Sequence, residues 1–287
     1  MSCLLTAFQS LIGACLCTAT PSDSDINSSS KSYNTSTNNF AYIEEIIEKE
    51  ADENTLVLWD VDQTLITPKD AILKPKWNKL LDQLMGGKKV IKDESGNKRY
   101  IFREILMHAE HSLLDNHLPS FVEKLQKKGV PTIAFTAAPG GKIGEVDSFI
   151  DWRIDELKKF GFDFSPSFPD TQLLNLPKDD DKEFPPVYKS GVLITSLHDK
   201  GPVLTNFFAQ LGWTPKKVIF IDDQKANVES VASSLKGQVQ TIGIQFTGAA
   251  DLPSEVDASV GKYQVDHFQE TGEWISQNQA ESNIAHS

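Results

Sequence analysis

The sequence predicts an α/β fold: a central parallel sheet with helices on both faces, carrying a mostly helical insertion. Three observations carry the prediction. Apolar runs at 55–60, 130–136 and 217–223 each read as a buried parallel strand and each end at an acid or a hydroxyl. Helical patterns lie between the runs, and each closes on glycine, as helix C-termini commonly do. Such alternation implies a sheet with both faces covered, whose ligands bind beyond the carboxyl ends of the strands.

In chain order, residues 1–20, MSCLLTAFQSLIGACLCTAT, are apolar and uncharged. Their length suits a secretory leader and is short for a membrane span, so the expected location is exported, periplasmic or secreted. Ile12-Gly13-Ala14-Cys15 resembles a lipoprotein processing box, which would place a lipid anchor on Cys15. No Lys or Arg stands near the start, as such leaders usually require, and a cytoplasmic protein is the alternative. Residues 21–40 are nearly all Ser, Thr, Asn and Asp and read as a disordered linker. An amphipathic helix follows at 41–51, with Ile43, Ile46 and Ile47 at helical spacing.

The first strand, TLVLWD at 55–60, places Trp59 in the core. An insertion at about 68–118 follows, with helices near 75–85 and 101–115 and a turn at Glu94-Ser95-Gly96-Asn97. A helix at 119–128 leads to VPTIAFT at 130–136. Beyond a helix at about 146–160 comes a second insertion, about 161–196. It has a Pro- and Asp-rich loop at 165–186, then a hairpin or strand in VYKSGVLITS. Helices at 202–211 and 225–236 flank KVIFIDD, and VQTIGIQF at 239–246 is a further strand. The predicted domain spans 41–278, with 279–287 as a flexible tail.

Composition narrows the function classes. The chain has 287 residues, 39% of them hydrophobic, enough for one sizeable core. A formal net charge of −12 and the absence of an extended basic stretch argue against nucleic acid or an anionic membrane surface as partner. All three cysteines, Cys3, Cys15 and Cys17, lie in the leader. The body therefore has no disulfide framework, no cysteine-based zinc cluster and no cysteine nucleophile.

Two carboxylates two residues apart at a strand end, Asp60 and Asp62, have a chemical use if the chain turns there. One is neutralised by a metal, while the other holds a proton and delivers it to a leaving group. A carboxylate that attacks phosphorus splits one hard hydrolysis into two easier steps. A solvated Asp-rich turn would look the same in isolation.

DVDQTL at 60–65 resembles the first motif of the haloacid dehalogenase (HAD) superfamily, DxDx[TV]. The other three motifs of that superfamily follow in order. Thr136, in IAFTAAP, resembles the hydroxyl of the second; Lys200, in HDKGPVL, the lysine of the third; Asp222 and Asp223, in IFIDDQKAN, the acidic pair of the fourth. The resemblance covers about residues 52–247 and implies a HAD-like Rossmannoid fold and a Mg²⁺-dependent phosphohydrolase. It implies Asp60 as nucleophile and metal ligand, and Asp62 as the group that protonates the leaving oxygen and then activates water. It also implies the Asp62 backbone carbonyl, Asp222 and Asp223 as further metal ligands. Thr136 would bond a phosphoryl oxygen, Lys200 would neutralise charge and restrain Asp60, and Asn227 would orient the fourth-motif turn. Gln63 departs from the Gly, Asp or Ser commoner at its position. The C-terminal half resembles an uncharacterised, often exported bacterial branch of the superfamily.

The insertion at 68–118 is the expected cap that reads the leaving group, and Arg99 and Arg103 are its candidates for an anionic substrate group. His108, His111 and His117 lack an accompanying cysteine or acid cluster and read as ordinary histidines rather than a zinc site. The expected partner is a small phosphorylated substrate. A phosphotransferase would use the same residues, and an exported, non-catalytic binding module is the other alternative. A pseudoenzyme would be expected to have lost Asp60, Asp62, Lys200 or Asp222, and all four are present.

Overall fold

A computed structural model describes residues 31–88, 90–92 and 98–286. The leader with Cys15, residues 21–30 of the expected linker, and the turn at 94–97 lie outside the described residues.

The first described element corrects the linker. Residues Tyr33–Thr37 form strand β1, which pairs in parallel with a later strand over 242–246. Polar composition misled here because an edge strand needs backbone partners more than it needs buried side chains. Helix α1 (Phe40–Glu50) follows, its first turn capped by the Asn39 side chain. Strand β2 (Thr55–Trp59) is wholly buried, and β3 (Ile66–Pro68) leaves the sheet to enter the insertion.

The insertion contains α2 (Asn78–Leu84), the paired strands β4 (Ile91–Lys92) and β5 (Lys98–Arg99), α3 (Ile101–His108) and β6 (His111–Leu113). The helix expected over 101–115 stops at His108, because residues 111–113 pair antiparallel with 66–68. Helix α4 (Leu118–Lys127) and strand β7 (Thr132–Thr136) return the chain to the sheet, and α5 (Phe149–Lys159) follows.

Strands β8 (Leu173–Asn175), β9 (Val187–Lys189) and β10 (Val192–Ile194) occupy the second insertion. Ser190 and Gly191, at φ 47° and 84°, make the turn between the last two. Then come α6 (Lys200–Leu211), β11 (Lys217–Asp222), α7 (Lys225–Ser234), β12 (Gln240–Phe246), α8 (Ala258–Thr271) and α9 (Gln277–Ala285). Helix α9 corrects the flexible tail. Its apolar pattern is faint, but Ser276 and Gln279 close a reciprocal capping box at its start.

Among the described residues the central sheet has eight strands, in the order β1-β12-β11-β2-β7-β10-β9-β8. Pairing is parallel from β1 through β10 and antiparallel from β10 to β8. Alternate residues of β2 serve opposite faces. Val57 and Trp59 pack with α1, α4 and α5, whereas Leu56 and Leu58 pack with α6 and α7. The insertion has its own small core: Leu73, Leu81, Ile105 and Leu106 meet Val265, Phe268 and Trp274 from the C-terminal helical region. Asp70 ties these parts together, accepting from Trp274 Nε1 at 2.8 Å and the Gln277 amide at 2.7 Å. No helix among the described residues is long and apolar enough to cross a membrane.

Candidate active site: acids and a buried lysine at the strand ends

Parallel pairing puts the ends of β2, β7 and β11 side by side, and the chemistry collects there. The Asp60 amide donates to Ile221 O at 2.9 Å, which registers the end of β2 against β11. The chain then turns sharply, with Gln63 at φ 67° and its amide donating to Ile66 O at 2.7 Å. Gly and Asp suit that left-handed position better, and the Gln63 side chain is held by Thr67 Oγ1, which donates to it at 2.8 Å.

Lys200 opens α6, at the positive end of the helix dipole, where a buried ammonium needs compensation. It finds three acceptors at 2.6 Å: Asp60 Oδ1, Asp222 Oδ2 and Phe135 O. Burial disfavours its charge, but Asp222 and Asp60 more than offset this and hold it protonated. Asp222 is held in turn by the Gln224 amide at 2.7 Å and by Asn227 Nδ2, which lies 3.0 Å from both carboxylate oxygens. Asn227 thus braces Asp222. Thr136 is buried at the end of β7 and lines the same cavity as Asp60.

Carboxylate oxygens of Asp60, Asp222 and Asp223 lie within 4.8 Å of one another. Burial raises the Asp60 carboxyl well above its ordinary value; Lys200 opposes this and the neighbouring acids add to it. Asp223 is pushed up to about 7, by burial first and then by Asp222. Three carboxylates against one ammonium leave two formal negative charges. One divalent cation would balance them, and hard oxygen donors from two strand ends are the ligands Mg²⁺ prefers.

Asp62 has different neighbours. Arg153 Nη2 donates to its two oxygens at 2.9 and 3.2 Å, and Arg103 Nη1 to Oδ2 at 2.6 Å. Burial alone would raise this carboxyl, but Arg153 and then Arg103 outweigh it and hold it far below the carboxylate range. So placed, Asp62 is ionised and a weak base; to take up or donate a proton it must first shed an arginine. About a fifth of its side chain still reaches solvent (21%).

The structure brings Asp60, Asp62, Thr136, Arg103 and Asp223 to one cavity, with Lys200 and Asp222 buried beneath. Arg103 also donates to Ala137 O at 2.8 Å. Arg99 is a correction: it pairs with Glu104 and lines a separate cavity with Lys142, Trp152 and Phe184. The three histidines serve different partners. His108 meets the Phe268 ring edge-on, His111 lies 3.3 Å from Glu156, and His117 lies 2.9 Å from Glu44. Burial lowers His111 to about 4.

Sequence reasoning missed Arg153 and Glu156. Arg153 is 2% exposed, lies over the Phe149 and Trp152 rings, and bridges Asp62 to Glu156. Its Nε has no hydrogen-bond partner among the described residues. A signal was present, because Arg153 falls on the stripe of α5 that also buries Phe149, Ile150, Ile154 and Leu157. A cation on an apolar helix face announces a buried acid.

The chain matches, over residues 36–281, the family described as "Protein of unknown function (DUF2608)". An uncharacterised protein of Rickettsia bellii is 30% identical over 192 residues, covering 64% of each chain. Another, from Rickettsia prowazekii, is 22% identical over 235 residues, covering 80% of this chain and 82% of its own. A Chlamydia pneumoniae protein, provisionally named an outer membrane protein, is 26% identical over 198 residues, covering 69% of each. The matched stretch spans less than two thirds of several of these relatives: 64% of the Rickettsia bellii protein and 56% of one from Rickettsia felis. The match covers most of the chain, which therefore belongs to that family.

Proposed function

We propose that this DUF2608 member is a Mg²⁺-dependent phosphohydrolase of HAD-like, Rossmannoid type that works through an aspartyl-phosphate on Asp60. The observation that carries the reading is the Lys200 ammonium, buried and 2.6 Å from both Asp60 and Asp222. A surface lysine and a solvated acidic turn have no reason to meet in the core, where charges are retained only when paired. The four sequence motifs converge at this point.

Asp60, Asp222 and Asp223, with the Asp62 carbonyl, would hold Mg²⁺, which when bound supplies positive charge for the phosphoryl oxygens. Asp60 Oδ attacks phosphorus, and the P–O bond to the leaving group breaks. Lys200 fixes the attacking carboxylate and sets positive charge beneath it, and Thr136 donates toward the charge that grows on the phosphoryl group. Asp62, once Arg103 has moved off it, then accepts a proton from the water that cleaves the aspartyl-phosphate. Protonation of the leaving oxygen by Asp62 in the first half requires Arg103 to move off it.

The test is phosphate release by the full chain from p-nitrophenyl phosphate and a panel of phosphorylated metabolites with Mg²⁺. Turnover abolished in Asp60→Asn supports the reading. A folded protein that releases no phosphate from any compound overturns it. Export belongs to the same proposal, supported by the apolar first 20 residues and by the name of the Chlamydia pneumoniae relative. Fractionation of cells that produce the protein decides that point.

A further inference from the structure

The cavity above Asp60 carries information about the leaving group, and reading it rests on the phosphohydrolase proposal. Its catalytic side is polar, formed by Asp60, Asp62 and Asp223 with Gln63, Thr136, Gln224 and Asn227. The wall supplied by the insertion differs in kind: Leu73, Pro75, Phe102 and Leu106 face the cavity there, with Asn78 at the exposed rim. Among its described lining residues the sole cation is Arg103, already bonded to Asp62 and to Ala137 O.

Size adds a second constraint. The cavity measures about 180 Å³, below the roughly 300–1,000 Å³ of ordinary ligand pockets. At about 30 Å³ per water it holds some six waters. A phosphoryl group with one ring or a short chain fills that space, and anything larger extends past the Asn78 rim. An anionic leaving group would meet carboxylates and an arginine already committed. On the insertion's side a polyol would bury hydroxyls against Leu, Pro and Phe side chains that offer no hydrogen bond.

We infer that the substrate is a small phosphomonoester whose leaving group is uncharged and largely apolar, seated against Phe102 and Leu106. Phe102 is then the specificity-determining contact.

The test compares kcat/KM for benzyl phosphate, phosphoglycolate, phosphocholine and glucose 6-phosphate, with the full chain and Mg²⁺. All four are alkyl esters, so differences report on the pocket more than on leaving-group acidity. Benzyl phosphate should lead the others by about tenfold or more, the scale on which an apolar pocket discriminates. Phe102→Ala should collapse that lead. Asn78→Lys, at the exposed rim, should improve phosphoglycolate relative to benzyl phosphate. Phosphoglycolate, phosphocholine or glucose 6-phosphate matching benzyl phosphate, or a lead unchanged in Phe102→Ala, overturns the inference and leaves the phosphohydrolase intact. No phosphate release from any of the four or from p-nitrophenyl phosphate, by protein folded by circular dichroism, overturns the parent reading and this inference with it.

Discussion

Replacing Lys200 by Met keeps the unbranched stem, one atom shorter, and removes its charge, so it tests what the ammonium does. Three contacts at 2.6 Å disappear, two of them to carboxylates that are themselves buried. Removing one partner from a buried ion pair costs about 3–5 kcal/mol, because the other charge is left uncompensated. The orphaned Phe135 carbonyl adds about 1–3 kcal/mol. These losses do not add in full, since Asp60 or Asp222 takes up a proton once its cation is gone. A net loss of about 3–5 kcal/mol follows, against a total of about 5–15 kcal/mol for a typical domain. The pH dependence has a definite sign. Carboxyls stripped of Lys200 have raised pKa values in the fold, so the folded variant binds more protons than the unfolded chain. Its stability is lost as pH rises, and its deficit is larger in mild alkali than in mild acid. Urea denaturation of both proteins across that range measures this, and Lys200→Met with Asp222→Asn should recover part of the loss. A deficit under about 1 kcal/mol, or one that grows on acidification, would refute the reasoning.

Other consequences can be measured separately. Asp223, raised to about 7, makes the metal-free protein lose stability as pH climbs from about 4 to about 7, because its ionised form is disfavoured in the fold. Added Mg²⁺ should flatten that slope and raise the melting temperature, with a gain of about 2.7 kcal/mol at a hundredfold excess over Kd, and Asp222→Asn should abolish the effect. Arg153→Lys should destabilise by about 2–4 kcal/mol, since one ammonium cannot bridge Asp62 and Glu156 as the guanidinium does; Glu156→Gln in that background should restore part of it by urea titration. Ser276→Ala removes the α9 capping box and should cost about 1 kcal/mol, read as faster amide exchange confined to 277–285.

What the sequence made legible follows its apolar patterns. Strands β2, β7, β11 and β12 were legible because central parallel strands are apolar throughout, and their terminal residues Asp60, Thr136 and Asp222 then located the site. Lys200 was legible only through its motif, because nothing in its own residue type distinguishes a buried lysine from a solvated one. Elements that rely on backbone bonds or caps were hidden. Strand β1 is built from Tyr33, Asn34, Thr35, Ser36 and Thr37 and reads as a linker until its partner β12 is known. Gly243 leaves room for the Asn34 side chain, since an added Cβ would fall 2.4 Å from Asn34 Oδ1. The insertion divided its two arginines in a way spacing could not foretell. Arg99, ending β5, and Arg103, in the first turn of α3, are four positions apart, yet Arg103 reaches Asp62 and Arg99 turns to Glu104. The partnership of Asp62 with Arg153 spans 91 positions, and no local pattern encodes a pairing at that separation.

The most direct measurement is peptide mapping by mass spectrometry after brief acid quench of the Mg²⁺-loaded protein turning over p-nitrophenyl phosphate. One phosphoryl group on the peptide that carries Asp60, lost on hydroxylamine treatment and absent in Asp60→Asn, is the predicted result. Sustained turnover with no acyl phosphate on Asp60, or with the phosphoryl group on another residue, would contradict the account.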